Sequence, residues 1–278
     1  GHHKEPFSFE ENTSSKFITF MERALPSVFA PSRNTGISAH NVRLNKRLTW
    51  SLGVFAETDG FGDSASINGG PNITGRITGL PVWKENGSKL LHLGLSVSRK
   101  GVPGGMMRFR ERPEAHLLPR FIDTGAMPAD SALLYAAEVA VVDGPFSIQA
   151  EYAGASLDSA MLNDPGFSGG YVQASWFLTG EHRRYKQSSG VFDRIHPDRS
   201  FIKGGPGAWE VAVRYSMLDL NDQMVRGGQL EDFTLGVNWY LSASSRFMFN
   251  YVNASLTDIG VPDPGNLGAF MMRFQVDF

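Results

Sequence analysis

Apolar and polar side chains alternate along most of this chain, in stretches as long as a β-strand. The closing stretch, residues 267–278, places Phe270, Phe274 and Phe278 on one face and Arg273 and Gln275 on the other. A period of two residues gives a strand two faces of different chemistry. A tilted strand needs about 9–11 residues to cross a bilayer, so the pattern predicts strands of membrane-spanning length.

Strands of this kind are predicted at twelve places. They are residues 1–10, 35–44, 48–57, 72–83, 89–100, 131–143, 145–156, 169–182, 208–219, 231–242, 245–256 and 267–278. A soluble β-sandwich alternates in the same way. Aromatic residues on the apolar faces lie near strand ends, as in the girdles of membrane barrels: Trp50, Trp209, Phe233 and Trp239. We therefore predict an all-β fold, a transmembrane antiparallel β-barrel.

The connections alternate between short turns and long polar loops, which is the layout of bacterial barrels. The short turns are 45–47, Gly144 and 243–244, and the long polar segments are 58–71, 157–168, 221–230 and 257–266. Strand direction then makes 101–130 one extracellular loop and 183–207 a long periplasmic connection. Twelve strands could close alone, but the start at Gly1 favours a larger barrel whose first strands precede residues 1–278.

Composition excludes several classes of protein. The 278 residues carry a net charge of −2 and no cysteine, so neither nucleic-acid binding nor a thiolate metal site is expected. No segment reaches the ~20 apolar residues of a transmembrane helix. The seven histidines are scattered apart from His2 and His3, and no nucleophile motif is present. We predict no catalytic residue, no metal and no cofactor, and an outer-membrane lipase is the weakest of the functional hypotheses.

Arginines alternate in one long loop. In an extended segment, Arg108, Arg110 and Arg112 lie on one face about 7 Å apart. Guanidiniums stay charged and bind oxyanions through paired hydrogen bonds. A row of them offers an anion several weak binding positions, which conduction requires because the anion must both enter and leave. The alternative is a solvated basic loop in which Glu111 is a local partner.

Segment 11–34 is the second candidate for an inward-folded loop. The residues at 13–15 can cap a short helix, and apolar side chains from Phe17 to Leu25 give that helix a stripe. Such a helix could fold inward as a plug that narrows the pore. The equally favoured alternative is that it packs on the rim of the barrel.

The other charges on the inner face are mixed in sign. We expect Arg76, Arg214, Arg246 and Arg273 to pair across strands with the acidic residues of the same face, and so to support the wall. The basic segment 181–186 either draws anions through or is a solvated turn; the solvated turn is the simpler reading.

Several motifs, in the same order along the chain, are similar to those of the phosphate-selective porin O and P family. They are KEPFS at 4–8, TSSK at 13–16, FMERALP at 20–26, WFLTGE at 176–181, GAWEVAVRYS at 207–216 and LGVNWYL at 235–241. The resemblance implies a sixteen-stranded, homotrimeric porin of the bacterial outer membrane, of which this chain supplies the last twelve strands. It implies that 11–34 is the constriction loop and that Ser14, Ser15 and Arg23 contact the anion. It also implies that 101–130 folds inward and carries the arginine ladder.

One departure from the family pattern concerns selectivity. Phosphate-selective members place a lysine shortly before Thr-Ser-Ser, where this chain has Glu10, Glu11 and Asn12. Carboxylates at a constriction would repel phosphate. The leading hypothesis is a passive porin for small anions, phosphate or polyphosphate, with outer-membrane lipid around it. The alternatives are a weakly selective diffusion porin and a structural or adhesion barrel with a closed lumen.

Overall fold

The computed structural model describes residues 1–58, 65–257 and 265–278. The chain is all-β, and its main antiparallel sheet has twelve strands in sequence order. These are β1 (His2–Lys4), β2 (Arg33–Arg43), β3 (Leu48–Thr58), β4 (Asn72–Lys84), β5 (Lys89–Gly101), β6 (Ser131–Asp143), β7 (Phe146–Asp158), β8 (Gly166–Phe177), β9 (Ala208–Asp222), β10 (Val225–Ser242), β11 (Ser245–Thr257) and β12 (Asn266–Val276). A two-residue strand, Ala65–Ser66, pairs with the end of β3 at Glu57 and Thr58.

The remaining elements are short and lie between the sheet strands. They are a helix at Phe9–Asn12, 3₁₀ turns at Leu25–Phe29, Glu85–Gly87, Pro103–Gly105 and Phe201–Lys203, and two-residue strands at Met106–Met107, Arg110–Glu111, Ile122–Asp123, Met127–Pro128, Tyr185–Lys186 and Val191–Phe192. No helix among the described residues is long and apolar enough to span a bilayer.

Each strand pairs with its neighbours in sequence, as the alternation predicts. β5 pairs directly with β6 across segment 102–130, so that segment adds no strand to the sheet. β8 pairs with β9 in the same way, across 178–207. Among the described residues, β1 and β12 are the two edges of the sheet. Parts of the predicted loops 58–71 and 257–266 lie outside the described residues.

Three predicted boundaries are wrong. The strand predicted at 169–182 is β8, which runs from Gly166 to Phe177. The first strand is β1 alone and does not extend over 1–10, because a helix begins at Phe9 after Pro6 and Ser8. The predicted polar loop 221–230 is a hairpin whose strands continue to Asp222 and resume at Val225. Polar residues extend the pairing there, and Gln229 Nε2 donates to Asp219 Oδ2 at 2.8 Å.

On the central strands the polar side chains are buried and many apolar ones are exposed, the reverse of what a soluble protein shows. On β5, the side chains of His92, Ser96 and Ser98 are buried, whereas Leu95 and Val97 are exposed. The same alternation continues into β6, where Glu138 is buried and Ala137 and Val141 on the opposite face are exposed. A face that is apolar and unburied along neighbouring strands suits lipid better than water.

Outward aromatic rings form a row along the rim where the short turns lie. Phe146 stacks on Trp176 with ring centroids 5.3 Å apart, and Trp209 stacks on Trp239 at 5.0 Å. The row continues through Phe247, whose centroid is 6.1 Å from that of Trp239, to Phe274 at 4.6 Å. Amphipathic and aromatic side chains at this level fit an interfacial girdle.

The hydrophobic core lies on the inner side of the sheet and is completed by the connecting segments. Phe7, Leu25 and Phe29 from one segment and Phe109 and Ile122 from another share a cluster with inward residues of the strands from β6 to β11. A smaller cluster near the other rim joins Phe9 to Phe192 and Leu90. The connecting segments are therefore packed on the inner face.

Candidate functional site

Residues 5–10 are held to the inner wall by two buried carboxylates. Glu5 accepts hydrogen bonds at 2.7 Å from the amides of Asn34 and Asn72. Glu151 on β7 accepts from Ser8 Oγ at 2.7 Å and from the backbone amides of Phe9 and Glu10 at 2.8 and 2.7 Å. The first amides of a helix have no partner within it, so the Glu151 carboxylate satisfies this helix start.

Segment 17–22, predicted as part of an amphipathic helix, is not helical. Its backbone carbonyls accept hydrogen bonds from side chains of the wall instead of from amides four residues ahead. The pairs are Arg183 with Phe17, Arg246 with Ile18, Asn238 with Thr19, Arg273 with Met21 and Arg214 with Glu22, at 2.8–3.3 Å. The buried apolar residues Ile18, Phe20 and Met21 anchor the same segment.

Arg214 joins the two inward segments. Its Nη1 lies 3.2 Å from Glu10 Oε1, and its Nε donates to Glu114 Oε2 at 2.9 Å. The guanidinium also lies over the ring of Phe20, 4.4 Å from the centroid. All three groups are buried, so both carboxylates share one guanidinium as their partner where water does not reach.

The expectation that inner arginines pair across strands is correct for one of them. Arg76 on β4 binds Glu138 on β6 at 2.5 Å, with His92 of the intervening strand 2.9 Å from the same carboxylate. Arg214, Arg246 and Arg273 bind the inward segment instead. The inner wall therefore uses most of these guanidiniums to position a loop.

The basic segment 181–186 is solvated only in part, because Arg184 and Lys186 are exposed whereas Arg183 is not. Arg183 is buried, lies 3.5 Å from Glu210 Oε1 and stacks over Phe192 at 4.6 Å. Arg76 also donates to the carbonyl of Gly190 at 2.7 Å, which fastens the same connection to the wall.

A cavity of about 260 Å³ lies where the two inward segments meet. Arg23 and Arg112 line it, together with four carboxylates, Leu25, Ser27, Pro113 and His116; the carboxylates are Glu11, Glu22, Glu111 and Glu114. Burial raises the pKa of both Glu111 and Glu114. Glu22 lies 2.9 Å from Arg273 and 2.8 Å from His116 Nδ1.

Arg23 is bound closely by its own segment. Its Nε lies 3.0 Å from Glu11 Oε2, and its Nη2 donates to the carbonyl of Thr13 at 3.1 Å. Ser14 and Ser15 follow directly, and Ser14 Oγ accepts from the amide of Lys16 at 3.3 Å. Of the described residues, Ser14 and Ser15 are not among those that line the cavity.

The three arginines of the predicted ladder have different surroundings. Arg108 and Arg110 are exposed on either side of buried Phe109, in keeping with an extended segment. Arg108 Nε donates to Asp123 Oδ1 at 2.7 Å and lines a second cavity, whereas Arg112 binds the carbonyl of His116 and lines the first. The structure thus brings Arg112, but not Arg108, to the cavity that Arg23 lines.

Sequence reasoning missed Lys4, Glu22 and Glu114 as residues of this region. Lys4 Nζ lies 2.7 Å from Glu11 Oε1, and Glu114 is fully enclosed beside Arg214. Their positions depend on segments folding back over the wall, which the alternation of a strand does not encode. The only available signal was the density of charge between Lys4 and Arg23.

The geometry defines an all-β chain whose charged connecting segments pack on the polar face of the sheet, and comparison with known sequences gives its family. Residues 1–278 match the family described as phosphate-selective porin O and P, and the chain belongs to it. This is an outer-membrane family of channels.

Two relatives are similar over most of the chain. A protein of Caulobacter vibrioides described as uncharacterized is 32% identical over 262 residues, covering 90% of this chain and 52% of its own length. Porin O of Pseudomonas aeruginosa is 27% identical over 309 residues, covering 98% of this chain and 68% of its own length. The chain spans about half the length of the first relative.

Proposed function

We propose that the protein is a passive porin for small anions, phosphate or polyphosphate among them. The observation that carries the proposal is the cavity between the inward segments, where Arg23 and Arg112 face the same space inside a sheet with an apolar outer face. The family description and the similarity to Porin O support passage of phosphate-like anions.

In this proposal each segment has a defined role. Residues 11–34 form the constriction loop, with Ser14, Ser15 and Arg23 near the anion path. Residues 101–130 form the inward loop that carries Arg108, Arg110 and Arg112. The twelve strands belong to a closed barrel of sixteen in a homotrimer, surrounded by outer-membrane lipid.

Reversal potentials test the proposal directly. The complete protein is inserted into a planar bilayer with a KCl gradient, and we expect the sign that corresponds to anion preference. Replacing Arg108, Arg110 and Arg112 by Ala should lower anion conductance most at low salt, where long-range attraction is least screened. Cation preference in the unaltered protein would overturn the proposal. Unchanged low-salt conductance in the variant would mean that the arginine loop does not line the anion path.

A weakly selective diffusion porin is the second candidate. The observation that favours it is the set of four carboxylates around the same cavity, which offsets the two arginines. Phosphate titrated into chloride separates the candidates, because only a pore with an anion site shows block of the chloride current. Absence of any conductance would favour a structural or adhesion barrel.

A further inference from the structure

We propose that Lys4 and Arg23 form an oxyanion site and that the Glu11 carboxylate occupies it as a tethered counterion. This inference rests on the proposed function and names the selectivity-determining group of the same constriction. The carboxylate bridges the two cations, with Oε1 2.7 Å from Lys4 Nζ and Oε2 3.0 Å from Arg23 Nε.

The contact has the form of a bound oxyanion. Each carboxylate oxygen lies next to one of the two cations, as two oxygens of a bound phosphate would. Lys4 also donates to the backbone carbonyl of Glu11, and Arg23 donates to the carbonyls of Glu10 and Thr13 at 3.3 and 3.1 Å. The two cations are therefore held in place by the backbone, independently of the Glu11 carboxylate.

The site is reachable from two cavities. Glu11 and Arg23 line the cavity of about 260 Å³ beside the arginine loop. Lys4 lines another, of about 280 Å³, together with Asn12 and Arg76. The side chains keep some exposure, 19% for Lys4, 13% for Glu11 and 22% for Arg23. Since a water molecule takes about 30 Å³ of the liquid, each cavity has room for an oxyanion with several waters.

The other carboxylates of the cavity have partners of their own. Glu114 binds the buried Arg214, and Glu22 lies beside Arg273 and His116. Glu111 accepts from the backbone amide of Arg112 at 2.9 Å. Glu11 is therefore the carboxylate that competes with an incoming anion for Lys4 and Arg23.

A tethered group competes at an effective concentration in the millimolar range or above. Free phosphate must exceed this value to displace the carboxylate, so the unaltered protein should conduct anions with weak phosphate block. Removing the charge of Glu11 should expose a binding site that the fold already holds.

The experiment compares Glu11→Gln with the unaltered complete protein in a planar bilayer, with inorganic phosphate titrated into chloride. Glutamine keeps the length of the side chain and one of its two oxygens, and it removes the negative charge. We expect the half-blocking phosphate concentration to fall by about tenfold, which corresponds to about 1.4 kcal/mol of binding free energy. Adding Arg23→Gln to Glu11→Gln should abolish the gain.

Glu85→Gln is the matched control, because it removes the same charge from an exposed turn where Glu85 pairs with Lys89 at 3.2 Å. It should leave the block unchanged. If both single variants remain anion-selective with the same phosphate block as the unaltered protein, the inference is wrong and the proposed function stands. Cation selectivity in the unaltered protein would overturn the proposed function together with the inference.

Discussion

At the scale of single residues, the charge of Arg108 is largely neutralised by Asp123. Two guanidinium nitrogens face the two carboxylate oxygens, with Nε donating to Oδ1 at 2.7 Å. This hydrogen bonding lowers the pKa of Asp123. A lowered carboxyl pKa means that the pair contributes stability above the unfolded pKa and loses it as pH falls through the folded pKa. The pair is therefore intact at neutral pH.

Replacing Asp123 by Asn should make the pore more selective for anions. The substitution leaves Arg108 with an uncompensated charge in an exposed loop, where it attracts anions over about a Debye length of 8 Å at physiological salt. The shift in reversal potential should be largest at low ionic strength and independent of pH near neutrality. Asp143→Asn, at an exposed site on the opposite rim, is the control. Equal shifts in both variants would mean that Arg108 does not face the path.

Alternation predicted which face each charged residue occupies, but not its partner. Arg214 was placed on the inner face by its position in β9. Its partners are 204 and 100 residues away in sequence, at Glu10 and Glu114. Pairing of neighbouring strands follows from local pattern, whereas a contact between wall and loop depends on how the loop folds back.

At the scale of elements, strand order was predictable and the form of the inward segment was not. Strands repeat one local rule, so most of their connections could be sorted into turns and loops, although 221–230, predicted as a loop, is a hairpin. Segment 17–22 has the apolar spacing of a helix, yet Arg246 and Arg273 each bind one of its carbonyls at 2.8 Å. A wall rich in donors offers these carbonyls an alternative to helical hydrogen bonds, and the competing donors are distant in sequence.

The two inward segments should depend on Arg214 for their stability. Replacing Arg214 by Met leaves Glu10 and Glu114 without their buried cation, and removing one partner of a buried pair costs about 3–5 kcal/mol. We expect a loss of this order in the free energy of unfolding, measured by urea titration in detergent or lipid. Adding Glu114→Gln should recover part of it, because the amide needs no counterion. A loss below about 1 kcal/mol, the range of exposed pairs, would contradict the view that Arg214 stabilises the two inward segments.

At the scale of the whole molecule, the sheet encloses many charged and hydroxyl groups, and many leucine, valine and aromatic side chains of its strands face outward. Leu95, at the middle of β5, is 61% exposed, and Leu117, in the loop 101–130, is 84% exposed. By exposed area the two leucines are alike. Because the family is one of outer-membrane porins, we expect hydrocarbon around Leu95 and water around Leu117.

Replacing each of these two leucines by arginine distinguishes the two surroundings. Leu95→Arg should reduce the free energy of folding into lipid vesicles by about 2–4 kcal/mol, the cost of a cation on the lipid face near the bilayer midplane. Leu117→Arg adds the same charge to an exposed loop and should change it by less than about 0.5 kcal/mol, as for ordinary surface substitutions. The measurement is reversible folding of the complete protein into vesicles, followed by urea titration. If Leu95→Arg is tolerated as well as Leu117→Arg, the apolar face of β5 does not contact lipid; if the cost is confined to Leu95, the outward leucines of the central strands lie in the hydrocarbon core.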